Sequence, residues 1–223
     1  MLTSTVADVM TRDVISVSPT TPFKEAAQLL AEHEISALPV VGPGAQPVGV
    51  VSEADLLVKE RTRGRLRSPG LLASRGSKRR YRQARATTVG DVMTPKVRTI
   101  GPEEPLARAA RELQAGRLRR LFVVDGSDAL VGVVSRRDVL RVFTRSDREL
   151  AETVRRQVLR FALWAPPEEI AVRVVEGEVT LDGVVDTRSE AERAVQLTGQ
   201  ISGVVAVHSK LAFAVDDIEA ARA

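Results

Sequence analysis

Residues 5–57 slide onto residues 88–140 without a gap, and 22 of the 53 positions are identical. TVADVMTRDVISVSPTTP lies over TVGDVMTPKVRTIGPEEP, ALPVV over RLFVV, and PVGVVSEADLL over LVGVVSRRDVL. Such self-similarity is a duplication, and it limits the fold more than any other feature, because whatever one copy forms the other must form too. Each copy has a short β-branched stretch (residues 14–17 and 97–100) ahead of a proline, Pro22 or Pro105, at an expected helix start. Apolar residues at helical spacing follow, Ala26, Ala27 and Leu30 in one copy and Ala109, Ala110 and Leu113 in the other. Two β-branched runs come next, residues 38–41 and 48–52, matched by 121–124 and 131–135, and a second helix is expected from about Glu53 or Arg136. The expected order is β-α-β-β-α. One such unit buries too little apolar surface to stand alone, so the two copies are expected to pack as a pseudo-twofold pair.

Composition removes several function classes. The chain has no cysteine, which excludes disulfides, thiol nucleophiles and thiolate metal sites, and two histidines are too few for a convincing metal cluster. With aromatics at 3%, the core is expected to be built from Val, Leu, Ala and Ile. No apolar run resembles a signal peptide or a membrane span, which points to the cytoplasm. The net charge of +4 comes from residues 61–85, which hold ten Lys/Arg and no acid; the remainder carries −6. With one aromatic, Tyr81, this segment reads as a solvated linker, and nucleic acid is not the expected partner. The catalytic signatures GxxxxGK[ST], GxSxG and HExxH do not occur, so no catalytic residue is assigned.

DVMT near the start of each copy, LPVV in the first and GVVSxxD in both make the repeat resemble a pair of cystathionine β-synthase (CBS) domains. The resemblance implies a mixed α/β (α+β) module that binds adenosine-containing ligands, such as AMP, ADP, ATP or S-adenosylmethionine, and that forms a homodimer. It assigns repeat 1 to residues 1–62, a basic linker to 63–86 and repeat 2 to 87–145. The Ser-x-x-Asp of each copy, Ser52–Asp55 and Ser135–Asp138, then has two open readings. One is a helix cap, with the serine as N-cap and the acid three residues on. The other, which the resemblance implies, is recognition of ribose hydroxyls by the carboxylate, which offers two acceptor oxygens. Arg136 and Arg137 inside the second motif and Arg120 before its strand supply positive charge for a phosphate, whereas Glu53 in the first motif disfavours one. The second copy is therefore the expected nucleotide site. Phe122, where the first copy has Pro39, is a candidate adenine neighbour, and Thr99 and Ser16 are candidate polar contacts from the first strands.

The last third is different. Residues 147–162 carry a helical stripe at Leu150, Val154, Val158 and Phe161. IAVRVVEGEVTLDGVV reads as a hairpin turning at Glu176–Gly177, residues 187–200 as a helix capped by Thr187 or Ser189, and the run after Gly203 as a strand. VVEGEVTLDGVV, a helix with Ala191 and Ala194, and SGVVAVHSKL resemble a BON domain, here residues 147–216 before a short tail, 217–223. That resemblance implies a phospholipid or protein partner; Trp164, beside Leu163 and ahead of two prolines, reads either as an apolar tip for such a contact or as the more frequent core-capping Trp. The whole reads as a nucleotide sensor that passes its state to the BON domain. The alternatives are a dimerisation scaffold without ligand, or a membrane- or nucleic-acid-associated protein.

Overall fold

The computed structural model describes residues 4–61, 74, 76, 81, 85–160 and 170–220. Most of the basic segment, and Phe161 and Trp164, lie outside the described residues. The chain divides into two compact units that do not follow the repeat boundaries: residues 10–103 with 113–135, and residues 4–9 with 104–112 and 136–220.

The first unit holds the sheets of both copies. In copy 1, β1 (Ala37–Val41) and β2 (Pro47–Ser52) form an antiparallel pair, and helices Phe23–Glu32 and Glu53–Arg61 flank them in sequence. In copy 2, β5 (Arg120–Val124) and β6 (Leu130–Ser135) repeat the pairing with matching register, including the shift in β5 at Val123/Val124 that answers Val40/Val41. The expected first strands shrink to the bridge Val17↔Val40 and to the two-residue β4 (Thr99–Ile100), both parallel to the strand beside them. Leu38, Val40 and Val51, all fully buried, pack with Ala26, Leu30, Val89 and Val92. Burying side chains of this size contributes roughly 1.5–3 kcal/mol each.

The outer edge of each antiparallel pair is joined by residues of the other copy. Thr94–Pro95 (β3) pairs with Gly49 and Val50 of copy 1, and Thr11 pairs with Val133 of copy 2 through reciprocal N–H···O bonds of 2.9 Å. The exchange explains two repeated residue types at once. A Cβ at Gly132 would lie 2.6 Å from the Met10 sulfur, and one at Gly49 would lie 2.8 Å from the Met93 sulfur. The glycine of GVV is the space into which the methionine of the other copy's DVM fits.

In the second unit, helix Leu106–Ala115 begins after Pro105, which bridges Thr5, and the helix Arg136–Leu140 runs through a 3₁₀ turn, Arg141–Thr144, into helix Asp147–Val154. The predicted helix over 147–162 changes character at Arg155. A π-helical stretch, Arg155–Arg160, follows, and it turns both Val158 and Leu159 fully into the core. The sheet has the order β7 (Ile170–Val175), β8 (Glu178–Thr187), β9 (Ala206–Val215), with β7–β8 antiparallel and β8–β9 parallel. The predicted turn at Glu176–Gly177 is present, pinned by Asp147, whose two carboxylate oxygens accept both turn N–H groups at 2.9 Å. Thr187 caps helix Arg188–Gly199 by accepting from the Glu190 N–H. Val179, Leu181, Ala194, Val154 and Ile170 form the core beneath these helices.

The loop between that helix and β9 rests on the end of the second repeat. Gly203 takes φ +100°, and a Cβ there would run into the Val142 carbonyl oxygen and approach Leu150 to 3.3 Å. Arg145 donates from Nη1 to the Ser202 carbonyl (3.2 Å) and from Nη2 to Thr153 Oγ1 (2.7 Å). The Ser4 N–H donates to Ser202 Oγ at 3.2 Å. Gly203 is thus a packing position as well as a turn. Among the described residues no helix is long and apolar enough to cross a membrane.

Candidate functional site

The repeated Ser-x-x-Asp sits where β2 and β6 turn into helices, and the first copy shows what it does there. Ser52 ends β2 and Glu53 begins the helix. Ser52 donates its N–H (3.0 Å) and its hydroxyl (2.6 Å) to Asp55 Oδ2, and the Asp55 N–H returns a long bond to Ser52 Oγ (3.4 Å). This is a capping box in which an aspartate replaces the usual longer acid. Two more follow from the repeated TVxDVM, where Thr5 and Thr88 donate from N–H and hydroxyl to Asp8 and Asp91. Asp55 Oδ1 accepts no hydrogen bond among the described residues, so the cap engages only one of its two oxygens. Ser16 is exposed just before Val17. Pro39 is buried on the face of β1 opposite Leu38 and Val40.

In the second copy, Ser135 ends β6 opposite Arg120 in register, as Ser52 stands opposite Ala37. The helix begins at the next residue, with Asp138 half-buried in its first turn and Arg136 and Arg137 exposed. Thr99 is exposed beside Phe122, and Phe122 stands opposite Val133 with only 3% of its surface accessible. Its ring is therefore packed inside the sheet unit, offering an adenine little exposed face.

Arg120 has a different engagement from the phosphate contact expected of it. Its guanidinium reaches into copy 1, where Nη2 donates to Ser36 Oγ (2.8 Å) and Nη1 to the Ala37 carbonyl (2.9 Å). Burial draws the guanidinium below its ordinary pKa, and the charge of Arg119 adds to the effect. Ala37 occupies the matching place in copy 1, so the contact runs one way only.

One feature escaped the sequence reading. Between helices Phe23–Glu32 and Glu53–Arg61 runs an open groove of about 580 Å³ lined by Phe23, Ala27, Leu30, Leu56 and Leu57, with Lys59 at its edge. The Lys59 ammonium lies 4.5 Å from the Phe23 ring centroid and donates to the Ala86 carbonyl at 2.6 Å. Phe23 alone in the sequence gave no sign of a cationic neighbour 36 positions on. Among the described residues no group of three or more His, Asp or Glu is placed to hold a metal ion.

Comparison with known proteins decides the family. The CBS domain model matches residues 6–60 and 89–145, and the BON domain model matches residues 146–214. The chain belongs to the CBS-domain family. This CBS–BON chain is 33% identical over 156 residues to the chloroplastic CBS domain-containing protein CBSX2 of Arabidopsis thaliana, covering 65% of this chain and 66% of the relative. It thus spans just under two thirds of that relative's length. A solved structure of CBSX2 in complex with AMP aligns with TM-score 0.52 and 32% identity, covering 61% of this chain and 94% of that one. An inosine-5'-monophosphate dehydrogenase of Korarchaeum cryptofilum is 34% identical over 57% of this chain, but the match covers only 22% of the enzyme.

Proposed function

We propose that the CBS pair binds an adenine nucleotide at the second Ser-x-x-Asp, with Asp138 accepting from the ribose hydroxyls and Arg136 and Arg137 countering the phosphate. The observation that carries the reading is the likeness to the AMP-bound CBSX2 structure, which extends over nearly all of that chain. AMP is accordingly the leading ligand, with ADP, ATP and S-adenosylmethionine as competitors. Ser135, Thr99 and Phe122 are the further candidate contacts. The first copy has a separate reading. Asp55 Oδ2 is taken up by Ser52, Glu53 stands where Arg136 stands in the second, and the motif acts there chiefly as a helix cap.

The BON domain is the proposed output. What supports this is the contact of Ser202 and Gly203 with Val142 and Arg145, because residues 141–145 continue directly from the helix that carries Asp138. A ligand that favours one position of that helix biases whatever rests on it, by its differential affinity for the two states. The proposed role is binding and transmission, without catalysis, in a homodimer formed through the CBS helices. Leu57 (60% exposed) and Leu140 (63%) are repeat-equivalent apolar residues presented on those helices.

The test is calorimetric titration of the full chain with AMP, ADP, ATP and S-adenosylmethionine, repeated on Asp138→Ala and Asp55→Ala. Binding that disappears in Asp138→Ala and persists in Asp55→Ala is expected. Absence of heat with all four ligands at millimolar concentration refutes the sensor reading.

A further inference from the structure

The BON sheet ends in two edge strands. On β7 the Val172 carbonyl accepts from Arg155 Nη2 at 2.9 Å, and on β9 the Leu211 N–H donates to Ser209 Oγ at 3.3 Å. β9 has ten residues, AVHSKLAFAV, without proline and without a break in its register against β8. No strand pairs with its outer edge among the described residues. Natural edges of this length are usually blunted by charges, prolines or bulges, and β9 carries only Lys210 and His208. The apolar face also continues past its cover. Phe213 lies beside Val185 on the core side of the sheet; Val185 is 8% exposed, but Phe213 is 42% and Val215 57% exposed.

We infer that β9 pairs antiparallel with β9 of a second copy of this chain, joining two BON sheets into one of six strands. The side-chain sequence is complementary to itself about Ala212. That axis sets Leu211 opposite the partner's Phe213 twice, Ser209 opposite the partner's Val215, and Lys210 opposite the partner's Ala214. Leu211 and Phe213 meet on the core side, and no two like charges stand directly opposite. Moving the axis to Lys210 would oppose two ammonium groups. The backbone groups along the outer edge gain ladder partners, and the exposed Phe213 gains a Leu211 neighbour. A second copy fits this edge better than an unrelated peptide because the complementarity is a property of β9 alone.

The absence of cysteine permits a direct test on the full chain. Antiparallel residues facing each other have Cα atoms about 4.5–5.5 Å apart, within the range that a disulfide spans. Ala212→Cys should give a covalent dimer under mild oxidation, whereas Ala171→Cys, on the β7 edge, should not. Within the Ala212→Cys chain, Ala214→Lys faces Lys210 of the partner and should abolish cross-linking, while Ala214→Glu should preserve or increase it. Ala214 is exposed, so neither change disturbs the core. Equal cross-linking at positions 171 and 212, no cross-linking at 212, or equal effects of Lys and Glu at 214 would each overturn the inference. The result does not depend on nucleotide binding, so it stands or falls apart from the sensor reading.

Discussion

Ser52 directs both its N–H and its hydroxyl at a single oxygen of Asp55, which makes the residue pair a local clamp on the first turn of its helix. Removing an N-cap serine costs about 1 kcal/mol, within a range of roughly 0.5–2. Ser52→Ala should therefore lower stability by about that amount, read from the midpoint of urea unfolding, without altering nucleotide binding. Ser-x-x-Asp was visible in the sequence with both of its meanings. Position alone left them open, because a cap and a ribose ligand demand the same residue types at the same spacing. The structure assigns one oxygen of Asp55 to the cap. The Thr-x-x-Asp of TVxDVM carried the same signal, and Thr5–Asp8 and Thr88–Asp91 are caps by the same geometry. Arg120 was not legible in this way. Its charge suggested an anion, but its partners are a hydroxyl and a carbonyl from residues some eighty positions earlier, which no local pattern announces.

At the level of elements, strong periodicity translated well. Helices Phe23–Glu32 and Arg188–Gly199, the β1–β2 and β5–β6 pairs and the β7–β8 turn stand where the apolar spacing puts them. Short pieces did not, since two-residue strands such as Thr94–Pro95 and Thr99–Ile100 are set by their neighbours and have no period of their own. The helix at Asp147 is a testable element. Ser146 donates from its N–H and hydroxyl to Glu149, and these bonds hold the Glu149 carboxyl below its ordinary pKa of 4.5. A depressed carboxyl stabilises the fold fully above the unfolded-state value near 4.5, and that stabilisation is lost as pH falls through the lower folded-state value. Glu149→Gln keeps an acceptor oxygen but cannot titrate. It should flatten the acid limb of the Tm-against-pH curve below pH 4.5 while leaving the curve's shape near pH 7 unchanged; an unaltered acid limb would show the cap to be thermally silent.

For the whole molecule, the joint at Gly203 matters most. Any side chain there meets the Val142 carbonyl, and φ +100° is itself costly for a residue with a Cβ. Gly203→Ala should lift the loop from the end of the second repeat without disturbing the β7–β8–β9 sheet. Under the proposed sensor role, AMP should still bind this variant in calorimetry, whereas the protection of BON amides by AMP expected of the unaltered chain in hydrogen exchange should be lost. Protection unchanged in the variant would mean that this contact carries no signal. The duplication foretold the paired sheets, yet it did not foretell that the GVV edge of each would be completed by the other copy.

That exchange has a consequence for how the chain comes to be folded at all. Residue 11 must find residue 133, and β2 must wait for residues 94 and 95, so the GVV edge of each copy is completed only by the other. Contacts so far apart in sequence slow folding, because loop closure is paid before they reward it. On the ribosome the first copy would emerge whole and keep its GVV edge open until residues 94 and 95, near the start of the second, had been made. Neither half is a heritable unit of stability, and a truncation after residue 87 should yield a chain that chaperones hold rather than a smaller version of the same protein.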